Sequence, residues 1–211
     1  MLKLIDNYFF DFDGVIKDSV DCKTEAFESM YSKYGNQIAE KVKNYHLKHG
    51  GISRFEKFKF WHKNYLNLEL SNDEIQTLAN EFSILVLDKV IKSDYVSGVK
   101  EFLEKNYQKK NMWVITGTPT TEILEILTKL ELNKFFKGAF GSPEKKTFWC
   151  EKIIKENKLE RSNCIFFGDA LTDYEASKNS SIKFALRETN YNSQYFKHMN
   201  IIKFKDFNDF I

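Results

Sequence analysis

Two aspartates, Asp11 and Asp13, lie one residue apart directly after the apolar run Tyr8-Phe9-Phe10. The run predicts a short buried strand, and two carboxylates at the end of such a strand repel each other. A magnesium ion would relieve this repulsion and hold a phosphate group beside the two residues, because Mg²⁺ prefers oxygen ligands. The sequence Asp11-Phe12-Asp13-Gly14 is also typical of a plain turn after a strand, since Asp and Gly are common turn residues.

Further along the chain, other apolar runs are followed by polar groups that suit phosphate chemistry. In order, these groups are Thr116-Gly117, Lys145-Lys146, and Asp169 with Asp173. Taken one at a time, each has a structural explanation: a turn with Thr118 as the helix N-cap, a solvated lysine pair, and a helix cap with its i+4 neighbour. Their appearance in this order at successive strand ends favours one common site.

Strand-like and helical segments alternate along much of the chain. The strands are predicted at 8–10, 112–115, 138–140, 164–167 and 183–186. This alternation predicts an α/β fold, namely a Rossmann-like parallel sheet with helices on both faces. Ligands of such sheets bind outside the carboxyl ends of the strands, which is where the polar groups lie.

The segment 19–92 interrupts the alternation. It contains no convincing strand, and its pattern predicts helices over 23–34, 54–67 and 72–91. Ser71 and Glu74 have the spacing of a capping box at the start of the last helix. We therefore predict an α-helical cap over 19–92 and a catalytic core formed by residues 1–18 and 93–211.

The composition argues against several other classes of protein. Lys and Arg number 32 against 30 Asp and Glu, whereas a dedicated nucleic-acid-binding protein carries a clear basic excess. No apolar run approaches the ~20 residues of a membrane span, and none at the start resembles a signal peptide. Cys22, Cys150 and Cys164 lack Cys-x-x-Cys spacing, which predicts reduced thiols. We expect a cytoplasmic monomer or weak dimer that binds a small phosphorylated substrate, but neither nucleic acid nor membrane.

The order of the polar motifs resembles the haloacid dehalogenase (HAD) superfamily, a large group of aspartate-nucleophile phosphotransferases. The resemblance extends from 11–16 (DFDGVI) to 168–173 (GDALTD) and covers nearly the whole chain. The helical segment is similar to the small α-helical cap of phosphoglycolate phosphatases and β-phosphoglucomutases. The resemblance therefore implies the same core fold, with the cap above the carboxyl ends of the strands.

The resemblance also implies a role for each polar group. The implied catalytic residues are the nucleophile Asp11, the general acid and base Asp13, and the phosphate-holding Thr116 and Lys146, with backbone N–H groups around Gly117 as further phosphate contacts. The implied metal site binds Mg²⁺ through Asp11, the backbone carbonyl of Asp13, Asp169 and, through water, Asp173. Dehalogenation of a carbon–halogen bond needs no acid/base residue, so the presence of Asp13 favours phosphoryl transfer.

The predicted cap contains one glycine pair, in the sequence His49-Gly50-Gly51-Ile52-Ser53-Arg54. One interpretation is a loop directed at the active site, in which Arg54 or a His binds an anionic or hydroxylated substrate. The other interpretation is an ordinary connection between helices, with Lys57 and Lys59 in solvent.

The resulting prediction is a Mg²⁺-dependent phosphatase that hydrolyses a small phosphorylated metabolite through an aspartyl-phosphate intermediate. A phosphomutase of the β-phosphoglucomutase type is one alternative, although those enzymes carry a His where Lys23 stands here. A catalytically silent relative that binds a phosphorylated ligand is the other alternative. Such a protein would not need Asp13 as an acid and base.

Overall fold

A computed structural model describes residues 4–211; residues 1–3, the start of the predicted core segment 1–18, lie outside the described part. The strands are β1 Asn7–Phe10, β2 Asn111–Pro119, β3 Gly138–Ser142, β4 Cys164–Gly168, β5 Lys183–Arg187 and β6 Ile202–Phe204. The first five coincide with the predicted strands to within a few residues. The short strand β6 was not predicted.

The six strands form a single parallel sheet in the order β3-β2-β1-β4-β5-β6. Strand β1 is central, and its Asn7 is in register with Asn111 of β2 and Cys164 of β4. The carboxyl ends of β2, β1 and β4 therefore meet at one edge of the sheet. The predicted Rossmann-like α/β fold is confirmed.

Alternate side chains of β1 enter two separate hydrophobic cores. Tyr8 and Phe10 pack in the larger core, and Phe9 packs in the smaller core on the opposite face of the sheet. This alternation follows from the two-residue repeat of a strand, and burial on both faces explains why the run is continuously apolar. The helices outside the insert are α5 Val99–Asn106 and α6 Thr120–Lys129, which contribute to the larger core, and α7 Lys146–Glu156 and α8 Leu171–Asn179, which contribute to the smaller one.

A helical insert, residues 20–92, lies between β1 and α5. Its helices are α1 Val20–Tyr31, α2 Asn36–Lys48, α3 Arg54–Trp61, extended by a π-helical turn at His62–Leu66, and α4 Asn72–Lys92. Helix α1 begins and ends three residues earlier than predicted, and α2 was not individually predicted. The predicted capping box is present, since the Ser71 and Glu74 side chains each accept a hydrogen bond from the other residue's backbone N–H.

The described helices include none that is both long and apolar enough to cross a membrane. Cys22, Cys150 and Cys164 are free thiols, as the spacing predicts. Cys150 and Cys164 are buried in the smaller core.

Candidate active site

Asp11 lies at the carboxyl end of the central strand and is 3% exposed. Its backbone N–H donates to the carbonyl of Phe167 on β4 at 2.9 Å, which continues the sheet pairing by one residue. The backbone N–H of Phe12 donates to Asp11 Oδ1 at 2.7 Å. Lys146 Nζ lies 2.8 Å from Asp11 Oδ2. The carboxylate is therefore held on both oxygen atoms.

The Asp13 carboxylate lies in a separate network on the side of the helical insert. Ser19 Oγ donates to Asp13 Oδ1 at 2.6 Å, and Thr118 Oγ1 donates to Asp13 Oδ2 at 3.1 Å. Lys23 Nζ contacts Asp13 Oδ2 and also donates to Thr118 Oγ1 at 2.8 Å. Burial alone would raise the pKa of Asp13, but the Lys23 charge and these hydrogen bonds outweigh burial and lower the pKa below its ordinary value.

Lys146 is the lysine that the fold brings into the site. It is 6% exposed at the start of α7, whereas its neighbour Lys145 is exposed. Its ammonium lies 2.6 Å from Asp173 Oδ1 as well as close to Asp11. The other oxygen of Asp173 accepts the backbone N–H groups of Asp169 and Ala170 at 3.2 and 3.0 Å. Asp173 therefore positions both Lys146 and the turn that carries Asp169.

Thr116 and Gly117 lie within β2, which continues past the predicted strand end at 115. Helix α6 begins at Thr120 with Pro119 as its N-cap, so the interpretation of Thr118 as the N-cap is wrong. Because side chains alternate along a strand, Thr116 and Thr118 lie on the same face. The backbone N–H of Thr118 donates to Thr116 Oγ1 at 3.3 Å, and both residues line the cavity that contains Asp11 and Asp13.

Asp11, Asp169 and Asp173 form a carboxylate cluster in which one oxygen atom of each residue lies within 4.8 Å of the others. Burial, followed by repulsion from the neighbouring carboxylates, raises the pKa of Asp169 well above its ordinary value. Burial likewise raises the pKa of Asp11 to about 6, against an opposing effect of the Lys146 charge and with added repulsion from Asp173 and Asp13. A cluster with excess negative charge and closely spaced oxygens fits a hard cation such as Mg²⁺.

The backbone around this cluster leaves little room. Gly14 has a φ of +75°, and a Cβ atom there would lie 2.1 Å from Asp169 Oδ2. Any other residue would therefore push Asp169 out of the cluster. The Asp13 carboxylate is not a member of the cluster, because it faces Lys23, Ser19 and Thr118 instead. Its predicted metal contact was through the backbone carbonyl, and this remains a prediction.

The glycine pair of the insert lies directly on the site. The Gly51 carbonyl oxygen would be 2.6 Å from a Cβ atom on Gly117, and Gly50 accepts a hydrogen bond from Thr172 Oγ1 at 3.2 Å. Gly51 has a φ of +76°, and a Cβ atom there would lie 2.0 Å from Thr172 Oγ1 and 3.4 Å from Lys146 Nζ. The connection between α2 and α3 thus lies against Gly117 of β2 and Thr172 of α8.

Arg54 makes a different contact from the one predicted for it. Its Nη1 and Nη2 donate to the two carboxylate oxygens of Glu122 on α6 at 2.8 and 2.6 Å, and Nη1 also donates to Ser83 Oγ at 2.6 Å. Arg54 lines the cavity but is only 4% exposed, and its two terminal nitrogens are already hydrogen-bonded to Glu122. The guanidinium therefore joins the insert to the core in this structure, and its contact with substrate remains a prediction.

Several residues of the site were not predicted from the sequence. Ser19, Lys23 and Thr118 hold the Asp13 carboxylate, and Asn192 Nδ2 donates to the backbone carbonyl of Asp169 at 2.8 Å. Thr118 could have been identified from the sequence as a site residue, because it is two residues after Thr116 and therefore lies on the same face of the strand. One interpretation placed Lys57 and Lys59 in solvent. This is wrong for Lys57, which is 2% exposed and lines the same cavity, whereas Lys59 is exposed. This cavity has a volume of about 570 Å³ and lies between the insert and the sheet.

Comparison with known proteins identifies the family. A sequence model described as haloacid dehalogenase-like hydrolase matches residues 8–186, which span the first strand, the insert and both acidic motifs. The chain belongs to the haloacid dehalogenase-like hydrolases. This confirms the resemblance inferred from the motifs, and with it the class of enzyme.

Two curated relatives of this HAD protein are named as phosphatases, in agreement with the predicted enzyme class. The phosphorylated carbohydrates phosphatase of Thermotoga maritima is 27% identical over 180 residues, covering 82% of this chain and 81% of the relative. Phosphoglycolate phosphatase 1 of Pseudomonas aeruginosa is 24% identical over 193 residues, covering 87% and 69%. A crystal structure of a predicted phosphoglycolate phosphatase from Haemophilus somnus shares the fold, with a TM-score of 0.73, 20% identity and coverage of 99% and 97%.

Proposed function

We propose that this HAD protein is a Mg²⁺-dependent phosphatase that hydrolyses small phosphate monoesters through a phosphoryl group carried on Asp11. The observation that carries the proposal is the pairing of two differently held carboxylates in one cavity. Asp11 lies in the carboxylate cluster beside Lys146. Asp13 lies among hydrogen-bond donors, on the side where a leaving group would enter. The names of the two curated relatives support the same reaction class.

The bound phosphoryl group would be held by Lys146, the Thr116 hydroxyl and the backbone N–H groups around Gly117. These groups supply positive charge and hydrogen bonds to oxygens that gain charge during transfer. Asp11, Asp169 and the Asp13 carbonyl would hold Mg²⁺, with Asp173 orienting its waters. When bound, the ion would neutralise the charge between the carboxylates and the phosphate.

In the first step Asp11 attacks the phosphorus in line, and the alcohol leaves with a proton from Asp13. The lowered pKa of Asp13 leaves it ionised before substrate binds, so this proton has to arrive with the substrate, whose phosphate group has a second pKa of about 6. The Lys23 ammonium contacts the same oxygen and stabilises the ionised form of Asp13. In the second step ionised Asp13 takes a proton from water, which attacks the aspartyl phosphate. An ionised Asp13 is already suited to this step.

The closed connection at Gly50–Gly51 would exclude bulk water while the phosphoryl group is transferred. Its contacts with Gly117 and Thr172 leave no room for a substrate to pass between the insert and the core at this point. We therefore propose that substrate enters when the insert is raised, and that closure completes the site. On this basis the predicted division into a cap, 19–92, and a core, 1–18 with 93–211, is also a functional division.

The proposal is tested by measuring phosphate release over a panel of phosphate monoesters, with Mg²⁺ and with EDTA. We expect release that requires Mg²⁺ and that Asp11→Asn abolishes. Asp6→Asn is the matched control, because it removes an exposed carboxylate just before β1 and should leave the rate unchanged. Activity of Asp11→Asn near that of the parent would refute the mechanism. Conversion of a sugar phosphate into its isomer without phosphate release would indicate the phosphomutase alternative.

A further inference from the structure

Lys57 on α3 is a buried cation in the wall of the cavity that contains Asp11 and Asp13. It is 2% exposed. Its Nζ lies 2.7 Å from His46 Nδ1 on α2, and His46 is 7% exposed and lines the same cavity. The Phe27 ring centroid lies 5.6 Å from Nζ. Lys57 and His46 thus form a small polar pair on the insert side of the cavity.

Among the described residues that line the cavity, the two buried cations other than Lys57 both have carboxylate partners. Lys23 pairs with Asp13, and Arg54 pairs with Glu122. Within residues 4–211, no carboxylate lies within ion-pair distance of Lys57 Nζ. A buried ammonium without a counter-ion is costly, and a cation–π contact with Phe27 offsets only a small part of that cost. The cavity therefore offers an unpaired cation where an anion would be stabilised.

The pKa values agree with this description of the pair. Burial, together with the positive charge of Lys23, lowers the pKa of Lys57 to about 7, while Asp13 acts in the opposite direction. Burial and the Lys57 charge also lower the pKa of His46 well below its ordinary value. His46 is therefore a neutral imidazole that accepts a hydrogen bond from the Lys57 ammonium. An anion bound beside Lys57 would favour the charged form of the lysine.

We propose that Lys57, oriented by His46, binds a second anionic group on the substrate, so that the enzyme prefers phosphate monoesters whose leaving group carries a carboxylate or another phosphate. This inference rests on the proposed phosphatase function. Lys146, Thr116 and Gly117 would bind the phosphoryl group, which all phosphate monoesters share, so the insert side of the cavity is a place where leaving groups can be distinguished. The other cations of the insert that line this cavity are Lys23 and Arg54, which already have carboxylate partners, and Lys48, which is exposed.

The size of the cavity is consistent with a small leaving group. Its volume of about 570 Å³ falls within the usual range for small-molecule sites. Phe27 and Phe82 contribute apolar surface between the core residues and the insert. Asp11 and Lys57 line this same cavity, so a substrate whose phosphoryl group lies beside Asp11 would place its leaving group on the side of Lys57.

The experiment compares matched pairs of esters that differ only in the second anion. For a carboxylate the pair is 3-phosphoglycerate and glycerol 1-phosphate, and for a phosphate it is glucose 1,6-bisphosphate and glucose 1-phosphate. We expect the parent to have the higher kcat/KM for the anionic member of at least one pair. A charge-assisted hydrogen bond predicts a preference of about 10- to 150-fold. The pair that shows the preference identifies which anion the subsite accepts.

Lys57→Met should reduce this preference by about the same factor, because Met keeps the length of the side chain but not its charge. Lys57→Arg should retain part of it. Lys59→Met is the matched control, since Lys59 lies on the same helix, two residues further on, and is exposed. The control should keep the preference of the parent.

The possible failures are distinguishable. A parent protein that releases no phosphate from any ester in the presence of Mg²⁺ refutes the proposed function. A parent that hydrolyses both members of each pair with equal kcat/KM overturns the inference but not the function, and this result needs no variant. The inference is also overturned if Lys57→Met folds, as judged by circular dichroism, and keeps the preference of the parent.

Discussion

Protonation of Asp11 should stabilise the folded, metal-free protein as the pH falls. A carboxylate usually has the opposite effect on the pH dependence of stability. The Asp11 pKa of about 6 in the folded protein lies above the ordinary value of 3.8, because burial and neighbouring carboxylates disfavour the charge. The folded state therefore takes up a proton at a higher pH than the unfolded state. The resulting stabilisation is absent well above pH 6 and grows as the pH falls through 6 towards 3.8.

The size of the effect follows from these two values. At 1.36 kcal/mol per pH unit, the difference between the folded-state and unfolded-state pKa values of Asp11 stabilises the folded protein by about 3 kcal/mol when the pH is below both pKa values. At pH 4.5 the stabilisation is about 2 kcal/mol. Asp11 is 3% exposed, so solvent screens the effect little. The Asn variant removes the titration. The free energy of unfolding of the parent relative to Asp11→Asn should therefore rise by about 2 kcal/mol between pH 7.5 and 4.5.

The assay is urea unfolding of metal-free parent and variant at several pH values, with the difference at each pH as the readout. Asp13→Asn provides a control of opposite sign. The folded-state pKa of Asp13 is lowered, so its stabilising contribution is present at neutral pH and is lost as the pH falls through that pKa. The difference between the parent and Asp13→Asn should therefore stay nearly constant between pH 7.5 and 4.5 and fall only as the pH drops below the ordinary value of 3.8. Parallel profiles for the two comparisons would refute the assignment of opposite environments to Asp11 and Asp13.

The remaining predictions concern catalysis and closure. Asp13→Ala should lower turnover by about 10²–10⁴-fold, most strongly for esters with poor leaving groups, as measured by phosphate release. Asp169→Ala should weaken activation by Mg²⁺. It should also raise the thermal stability of the metal-free protein, because one of three carboxylates that repel each other is lost. If the parent protein had the same thermal stability with and without Mg²⁺, this would argue against a metal site. Gly117→Ala should lower kcat/KM by about 10–100-fold through the clash with the insert, and an unchanged rate would show that closure is not required. Arg54→Met should destabilise the protein by about 3–5 kcal/mol in urea unfolding, because it leaves Glu122 buried without a partner, and adding Glu122→Gln should restore most of the loss.

The first five strands, and the polar residues at their carboxyl ends, could be predicted because each is indicated by a short stretch of adjacent residues. Short apolar runs followed by Asp, Thr or Gly indicate buried strands that lead into turns, and parallel alternation brings their ends together. Asp11, Thr116, Lys146 and Asp169 lie around one carboxyl edge for this reason. Their chemical roles remain predictions that the proposed experiments test.

The contributions of the insert could not be predicted in the same way. Lys23 and Lys57 belong to stretches rich in charge, where a lysine is normally exposed, and their burial depends on how α1, α2 and α3 pack against each other. The partner of Arg54 is Glu122, which is distant in sequence and lies on α6 with no local signal of a contact. The three-residue strand β6 is too short for its pattern to be distinguished from a loop.

The central position of β1 also affects the order in which the chain assembles. Its neighbours, β2 and β4, begin at Asn111 and Cys164, so one edge of this apolar strand stays unpaired until about half of the chain has been synthesised, and the other edge for longer. The helices of the insert make mainly local contacts with one another and can form sooner, whereas long-range strand pairing is slow. We expect Asp11 and Asp13, which are synthesised early, to be among the last groups to reach their final positions. An exposed strand edge in the meantime is a site for pairing with other chains, so the yield of folded protein should fall as its concentration during refolding rises.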